Sequence, residues 1–216
     1  MPRPYQSRVR ADQAKRTRLA IVEAAMKLFL EHGYSATSIR AIAREAGVAE
    51  PTVYLVFHDK ISILRAIAAH ALYGDTEEGA GQAQFMESLA SDPDPVDRLR
   101  TAIHQTAAGY AQGLAKLGRV IGSAVQGEPR LHQFVADMIE LRHRDTREYL
   151  GLILGREVPS DRDGEQLIDE VEVHTSDEVY WILAVERGWP IERYEAYVVD
   201  MCLTAMRRHG AIPRDM

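Results

Sequence analysis

The sequence predicts an all-α protein with a small N-terminal helix-turn-helix domain and a larger C-terminal helical domain. Three observations support this fold class. Apolar residues recur at intervals of three and four along most of the 216 residues, as on one face of a helix. Glycine and proline stand where those segments begin or end. No segment combines alternating polarity, β-branched residues and hairpin turns, so no sheet is expected.

Four helices are predicted in the N-terminal part of the chain. Their expected bounds are residues 12–32, 37–47, 50–57 and 60–73. Gly33 and Gly47 are typical of positions just beyond a helix end, because glycine adopts left-handed backbone angles without strain. Thr37 is a suitable N-cap, and Pro51 fits the first turn of the third helix.

The remaining residues predict a second group of helices. Asp94 before Pro95 caps a helix that runs toward residue 116, and Pro129 begins a long helix that reaches about residue 154. Residues 156–165 are expected to form a polar loop. Thr175 and Glu178 have the spacing of a capping box, so another helix follows and ends at Gly188. The last predicted helix covers about 191–209 after Pro190.

Composition excludes several classes of protein. With 46% hydrophobic and 27% charged residues, the chain is not disordered throughout, and it is long enough to bury a core. It has neither an apolar run of the roughly 18 residues that span a membrane nor a signal peptide, so we expect a soluble cytoplasmic protein. The single cysteine, Cys202, excludes an internal disulfide and is expected to pack in a helix.

Charge is distributed unevenly along the chain. The formal net charge is −6, but residues 1–70 carry +5 and the remainder carries −11. Six of the basic residues lie in an N-terminal arm: Arg3, Arg8, Arg10, Lys15, Arg16 and Arg18. A basic N-terminal part on an acidic protein suggests that this part meets a polyanion such as DNA. The arm either reaches DNA or is a solvated tail.

The second and third predicted helices form a helix-turn-helix pattern around Gly47 and Val48. Five apolar residues are expected to pack between them: Ile39, Ala43, Val48, Val53 and Phe57. In such a pair the second helix projects from a small core into the major groove of DNA, where base edges differ between sequences.

These residues resemble a known family. The segment TSIRAIAREAGV at residues 37–48, followed by Pro51-Thr52-Val53-Tyr54, Phe57 and Lys60, is similar to the DNA-binding domain of TetR-family transcriptional regulators. Residues 186–194 (ERGWPIERY) are similar to C-terminal regions of some members. The resemblance implies an all-helical homodimer that binds double-stranded DNA at a pseudo-palindromic operator. It also implies a C-terminal pocket for a small-molecule effector, unidentified and expected to be apolar, that controls repression.

The resemblance also implies which residues meet DNA. The expected contacts come from Thr37, Ser38, Arg40, Glu50, Pro51, Thr52, Tyr54, Leu55 and Lys60. Thr37 and Ser38 are expected to cap the second helix and approach phosphate. Glu50 either accepts a hydrogen bond from cytosine or repels phosphate, and Leu55 offers only apolar contact, for example with a thymine methyl group. For Tyr54 the alternative is a half-buried core position.

The predicted domains are residues 1–73, with the arm and the DNA-binding unit, and residues 74–216, for effector binding and dimerisation. The expected effector-binding residues are His104, Tyr110, Phe134, Met138, Arg142 and Tyr180. The last two helices are expected to form a four-helix bundle with their two-fold mates, through Val179, Ile182, Leu183, Tyr194, Val198, Met201 and Met206.

No catalytic function, cofactor or metal site is predicted. The triplet His143-Arg144-Asp145 lacks the downstream asparagine and the glycine-rich loop of a kinase. The eight histidines include no His-Glu-x-x-His motif, which zinc peptidases use. One alternative to a regulator remains. In it, the chain is a helical protein that binds a small molecule and binds DNA only weakly or without sequence specificity.

Overall fold

The computed structural model describes residues 4–74 and 79–213 of the chain. Every regular element in those two ranges is helical. The α-helices are α1 Pro4–His32, α2 Ile39–Glu45, α3 Glu50–Phe57, α4 Lys60–Tyr73, α5 Ala80–Ser91, α6 Pro95–Gly109, α7 Ala115–Ala124, α8 Pro129–Leu154, α9 Arg162–His174, α10 Asp177–Tyr180 and α11 Ile191–Arg208. The predicted all-α fold is confirmed.

Helices α1–α4, here called the head, pack around the helix-turn-helix. Gly47 has a φ of 67°, so it turns the chain between α2 and α3 in a conformation that a Cβ would strain. Val53 and Phe57 of α3 are buried, and so are Ile42 and Ala43 of α2. Each of the two helices therefore buries one face in the core and leaves the opposite face at the surface.

The core of the head extends into the rest of the chain, here called the body. Leu117 and Ile121 of α7 and Leu131 of α8 are buried in the same apolar cluster as Phe29 and Ile42. The N-terminal end of α8 thus contributes to the interior of the head.

Two ion pairs also join α8 to the head. The Arg130 guanidinium lies 2.5 Å from a carboxylate oxygen of Asp59, which is the N-cap of α4. Arg65 of α4 lies 3.8 Å from Asp137 and stacks over the Phe134 ring at 5.1 Å. The far end of α8 lies in a separate core, since Leu150 and Ile153 pack with body residues.

The body core is formed mainly by α6, α8, α9 and α11 and includes a row of three tyrosines. Tyr180 is 5.3 Å from Tyr110 and 5.1 Å from Tyr194, measured between ring centroids. The Tyr110 hydroxyl donates a hydrogen bond to the Thr175 carbonyl at 2.8 Å. Cys202 is buried in this core, as its apolar helix predicted.

Two π-helical turns, Tyr110–Leu114 and Trp181–Glu186, interrupt the helices of the body. In the first, Gly113 has a φ of 114°, and a Cβ placed there would lie 2.6 Å from the terminal methyl of Met26 in α1. The positive φ of Gly113 therefore favours glycine, and the flexible end of Met26 packs into the space that a Cβ would take. The sequence predicted one uninterrupted helix here, and this prediction was wrong.

Several predicted boundaries are corrected. Helix α1 starts eight residues earlier than expected, and α5, most of α7 and all of α9 lie where no helix was predicted. The first residues of α9 replace part of the predicted polar loop. The N-cap of α10 is Ser176, whereas Thr175 ends α9. In the described part of the chain, no helix is both long and apolar enough to cross a membrane.

Candidate nucleic-acid interface

Helix α2 begins with a side-chain cap from Ser38, whose hydroxyl accepts a hydrogen bond from the Ala41 amide at 3.1 Å. Thr37, the predicted cap, is only 3% exposed. Its hydroxyl shares its hydrogen bond between two acceptors, the Gly33 carbonyl at 2.8 Å and the Leu28 carbonyl at 3.2 Å. Thr37 therefore fixes the turn before α2, and its burial removes it from any DNA-facing surface. Ser38 and Arg40 are exposed.

Helix α3 presents one exposed stripe formed by Pro51, Tyr54, Leu55 and His58. These positions are spaced i, i+3, i+4 and i+7, so they share one side of the helix. Tyr54 is 48% exposed and Leu55 is 80% exposed. Tyr54 therefore does not occupy the core position that was its alternative. The stripe has the exposure that contact with another molecule requires.

The other α3 side chains are less available. Glu50 and Thr52 are half-buried, and Val56 is half-buried against the head core, so Val56 is not part of the stripe. Ala49 has the extended backbone of an N-cap but no side chain that accepts a hydrogen bond, so α3 begins without a side-chain cap.

Lys60, the first residue of α4, points toward Tyr34. Its ammonium donates to the Tyr34 carbonyl at 3.0 Å and lies 4.1 Å from the centroid of the Tyr34 ring. Burial lowers the pKa of Lys60 from its usual value, and burial also raises the pKa of Tyr34 to about 12. A phosphate contact by Lys60 would require this ammonium to turn outward.

The N-terminal arm continues α1 toward the start of the chain. Arg10, Lys15 and Arg16 are exposed on it. Arg18 stacks over the Phe57 ring at 4.4 Å, which links the arm to the end of α3. Among the other basic residues assigned to the arm, Arg3 lies outside the described residues, and so does the side chain of Arg8.

Comparison with known proteins matches the same part of the chain. Residues 21–67 match the family model for bacterial regulatory proteins of the tetR family. The transcriptional regulator SrpR of Pseudomonas putida is 29% identical over 157 residues, which is 68% of this chain and 70% of SrpR. Residues 21–67 are therefore a DNA-binding domain of the tetR family.

Two further comparisons extend over most of the chain. The transcriptional repressor BepR of Brucella suis is 24% identical over 94% of this chain and 97% of its own. A solved structure from Mesorhizobium loti, described as a TetR-family regulator, matches with a TM-score of 0.63. It covers 90% of this chain and 97% of that one at 17% identity, which supports the fold. The chain thus combines a tetR-family DNA-binding domain with the overall fold of a solved TetR-family regulator.

The structure separates two of the residues predicted to bind an effector from the others. Phe134 packs against the head core beneath Arg65. His104 is exposed on α6, and its Nδ1 lies 2.9 Å from a carboxylate oxygen of Glu195. Neither side chain lies in the tyrosine row of the body core.

Three other predicted residues lie closer together, in a group that also contains Asp177. Tyr110 and Tyr180 are in ring contact, and the positive charge of Arg142 acts on both Tyr110 and Asp177. Burial, followed by the charge of Glu178, raises the pKa of Asp177 to about 6. Tyr110, Arg142, Asp177 and Tyr180 are here called the Asp177 cluster. In the sequence this segment is evident only as a helix start, and no pattern there marks Asp177.

The surface of the last helices differs from the predicted four-helix bundle. Tyr194, Val198 and Met206 are no more than 2% exposed because they pack inside one subunit. They cannot contact a two-fold mate, and that part of the prediction was wrong. Ile182 and Val185, both in the second π-helical turn, are about half exposed, at 46% and 49%.

Proposed function

We propose that this TetR-family protein is a ligand-responsive repressor that binds a pseudo-palindromic operator as a homodimer. The exposed stripe of α3 carries the proposal, because its opposite face is locked in the head core and leaves the stripe free to enter a major groove. BepR, which is similar along nearly its whole length, is named a repressor. The two half-sites are expected about 34–36 Å apart or a near multiple of that distance.

The DNA-contact roles follow from exposure and chemistry. Ser38 and Arg40 contact phosphate from the start of α2, where amide groups and positive charge favour anions. Pro51, Thr52, Tyr54 and Leu55 face the groove from α3, with Glu50 at its edge. Lys60 joins the phosphate contacts when its ammonium leaves Tyr34. The exposed cations of the arm add sequence-independent attraction.

Dimerisation is proposed through the second π-helical turn and its neighbours. Ile182 and Val185 expose apolar side chains there, and Val179 and Leu183 in the same segment are half-buried. Pairing of identical apolar patches about a two-fold axis buries each patch against its copy. A two-fold dimer also places two α3 helices for the two halves of a palindrome.

The effector is proposed to bind at the Asp177 cluster, with Met138 at its border. Met138 lies one helical turn before Arg142 on α8, and both are partly accessible. Half-buried groups of aromatic and charged side chains with a perturbed carboxylate are typical of ligand sites. Binding at this cluster can influence α8, whose other end lies in the head core.

The operator proposal is tested with the double variant Thr52→Ala/Tyr54→Ala. A duplex selected from a random pool by the wild-type protein is labelled, and its dissociation constant is measured by fluorescence anisotropy. The double variant is expected to lose sequence-selective binding and retain its circular-dichroism spectrum. Ile139→Ala, an exposed apolar change on α8, is the matched control and should bind as the wild type does. Equal binding by the double variant and the wild type would contradict the proposal.

The ligand proposal is tested by a thermal-shift screen with and without operator DNA. A true effector of a repressor stabilises the free protein and weakens its operator binding, and operator weakens effector binding by the same factor. Asp177→Asn should change effector affinity and leave operator affinity of the free protein unchanged. Equal effector affinity in wild type and variant would exclude the Asp177 cluster.

One observation favours a second function. Helix α3, with the sequence EPTVYLVF, contains no basic residue and one acidic residue, Glu50. A small-molecule-binding protein with weak DNA binding would have such a helix. The same selection from a random pool discriminates the two functions, because it would then enrich no sequence at moderate salt.

A further inference from the structure

The exposed stripe of α3 lacks the side chains that usually read bases by paired hydrogen bonds. Guanine is read mainly by arginine or lysine and adenine by asparagine or glutamine, in each case through two parallel hydrogen bonds. None of these four residue types occurs in α3. Sequence discrimination by this helix must therefore use other chemistry.

The middle of the stripe is apolar. Leu55, at 80%, is the most exposed large hydrophobic side chain in the described part of the chain. Its neighbour Val56 packs against the head core, so Leu55 is the aliphatic side chain that projects from this turn of the helix, beside Tyr54. Exposing an isobutyl group to water is unfavourable unless a partner covers it. The proposed partner of Leu55 is operator DNA, because the stripe is the surface proposed to enter the major groove.

We propose that Leu55 reads a thymine in each half-site by apolar contact with the C5-methyl group. This inference rests on the proposed function, namely that α3 lies in the major groove of an operator. Among the four bases, thymine alone presents a methyl group in that groove. Contact with Leu55 removes both apolar groups from water, whereas a cytosine at the same place offers an amino group that Leu55 cannot satisfy.

The expected size of the effect follows from the area that one methyl group buries. Burying a single methyl or methylene group changes affinity about fourfold. A homodimer meets the methyl twice, once in each half-site, so removal of both methyl groups is expected to weaken binding by roughly tenfold to twentyfold.

The test replaces thymine by deoxyuridine, which lacks only the methyl group. Thymines of the selected operator are changed in symmetric pairs, one pair for each duplex, and dissociation constants are measured for wild type and Leu55→Ala. At one pair the wild type should lose roughly tenfold or more in affinity, and Leu55→Ala should lose less than twofold. Leu55→Ala changes only a surface side chain, and its thermal midpoint verifies folding. Ile139→Ala should show the full wild-type loss.

The outcomes separate the inference from the proposed function. If no operator is selected, the proposed function is contradicted, and so is the inference that rests on it. If an operator is bound but no deoxyuridine pair weakens binding, the inference is overturned and the proposed function stands. If a pair weakens wild type and Leu55→Ala equally, another side chain such as Pro51 contacts the methyl group, and the assignment to Leu55 is overturned.

Discussion

At the scale of single residues, the fold places the Asp177 carboxylate where its charged form is disfavoured. Its side chain packs against Gly118 of α7, where a Cβ would lie 2.3 Å from a carboxylate oxygen. Burial disfavours its charged form, and the adjacent Glu178 adds like-charge repulsion. Glu178, whose pKa is lowered, retains its charge and accepts a hydrogen bond from protonated Asp177. The pair therefore holds one proton more readily than two separate carboxylates would.

Asp177 should make stability depend on pH. Its folded pKa of about 6 lies above its ordinary value of 3.8, so its contribution to stability is complete below pH 3.8 and is lost as the pH rises through 6. Asp177→Asn keeps a donor toward Glu178 without a charge. The variant should melt at a higher temperature than wild type at pH 7.5 and at the same temperature at pH 4. Asp200→Asn, an exposed change on α11, should show no such difference.

At the scale of elements, the first π-helical turn contains a glycine with a positive φ that lies beside a distant part of the chain. Gly113 takes a φ of 114° and lies against Met26. The apolar spacing around Gly113 is compatible with a continuous helix and does not reveal the positive φ that this glycine adopts beside α1. This is the physical reason why sequence periodicity predicted an unbroken helix to residue 116.

Two glycines provide a matched test of that turn. Gly113→Ala places a Cβ on a backbone with a φ of 114°, which strains that backbone, so it should lower the free energy of unfolding by about 2 kcal/mol. Gly122 lies inside α7, and a Cβ there meets no neighbour, so Gly122→Ala should raise the free energy by about 0.5–1 kcal/mol. Urea denaturation measures both changes. An equal effect of the two substitutions would contradict the explanation by backbone strain at Gly113.

Local signals located most helix ends of the head and were insufficient for parts of the body. Helix ends near Gly33 and Gly47, and Pro51 in the first turn of α3, are fixed by the backbone preferences of those residues. Helix α5 has few large apolar residues and buries little beyond Leu89, so its pattern was weak. Phe134 and Tyr194 were assigned to a pocket and an interface because their spacing shows only that they are apolar. Which apolar surface each one meets is decided by tertiary packing.

At the scale of the whole molecule, the proposed dimer rests on apolar side chains that one subunit leaves exposed. Ile182→Asp places a charge in the proposed contact, and a buried unpaired charge strongly opposes association. Light scattering should show a dimer for wild type and a monomer for this variant at the same concentration. Operator affinity should fall with it, since each half-site is then bound separately. Ile139→Asp is the control, and a monomeric result for that variant would argue against the assigned surface.

The shared interior of head and body has a practical consequence for anyone who wishes to study DNA recognition in isolation. A fragment cut after Tyr73 would keep the whole helix-turn-helix, yet it would lack Leu117, Ile121 and Leu131, which fill part of its interior. Truncation would expose the apolar surface that these three residues cover, and it would remove Arg130, the ion-pair partner of Asp59. The core of the DNA-binding head is therefore complete only when α7 and α8 pack against it.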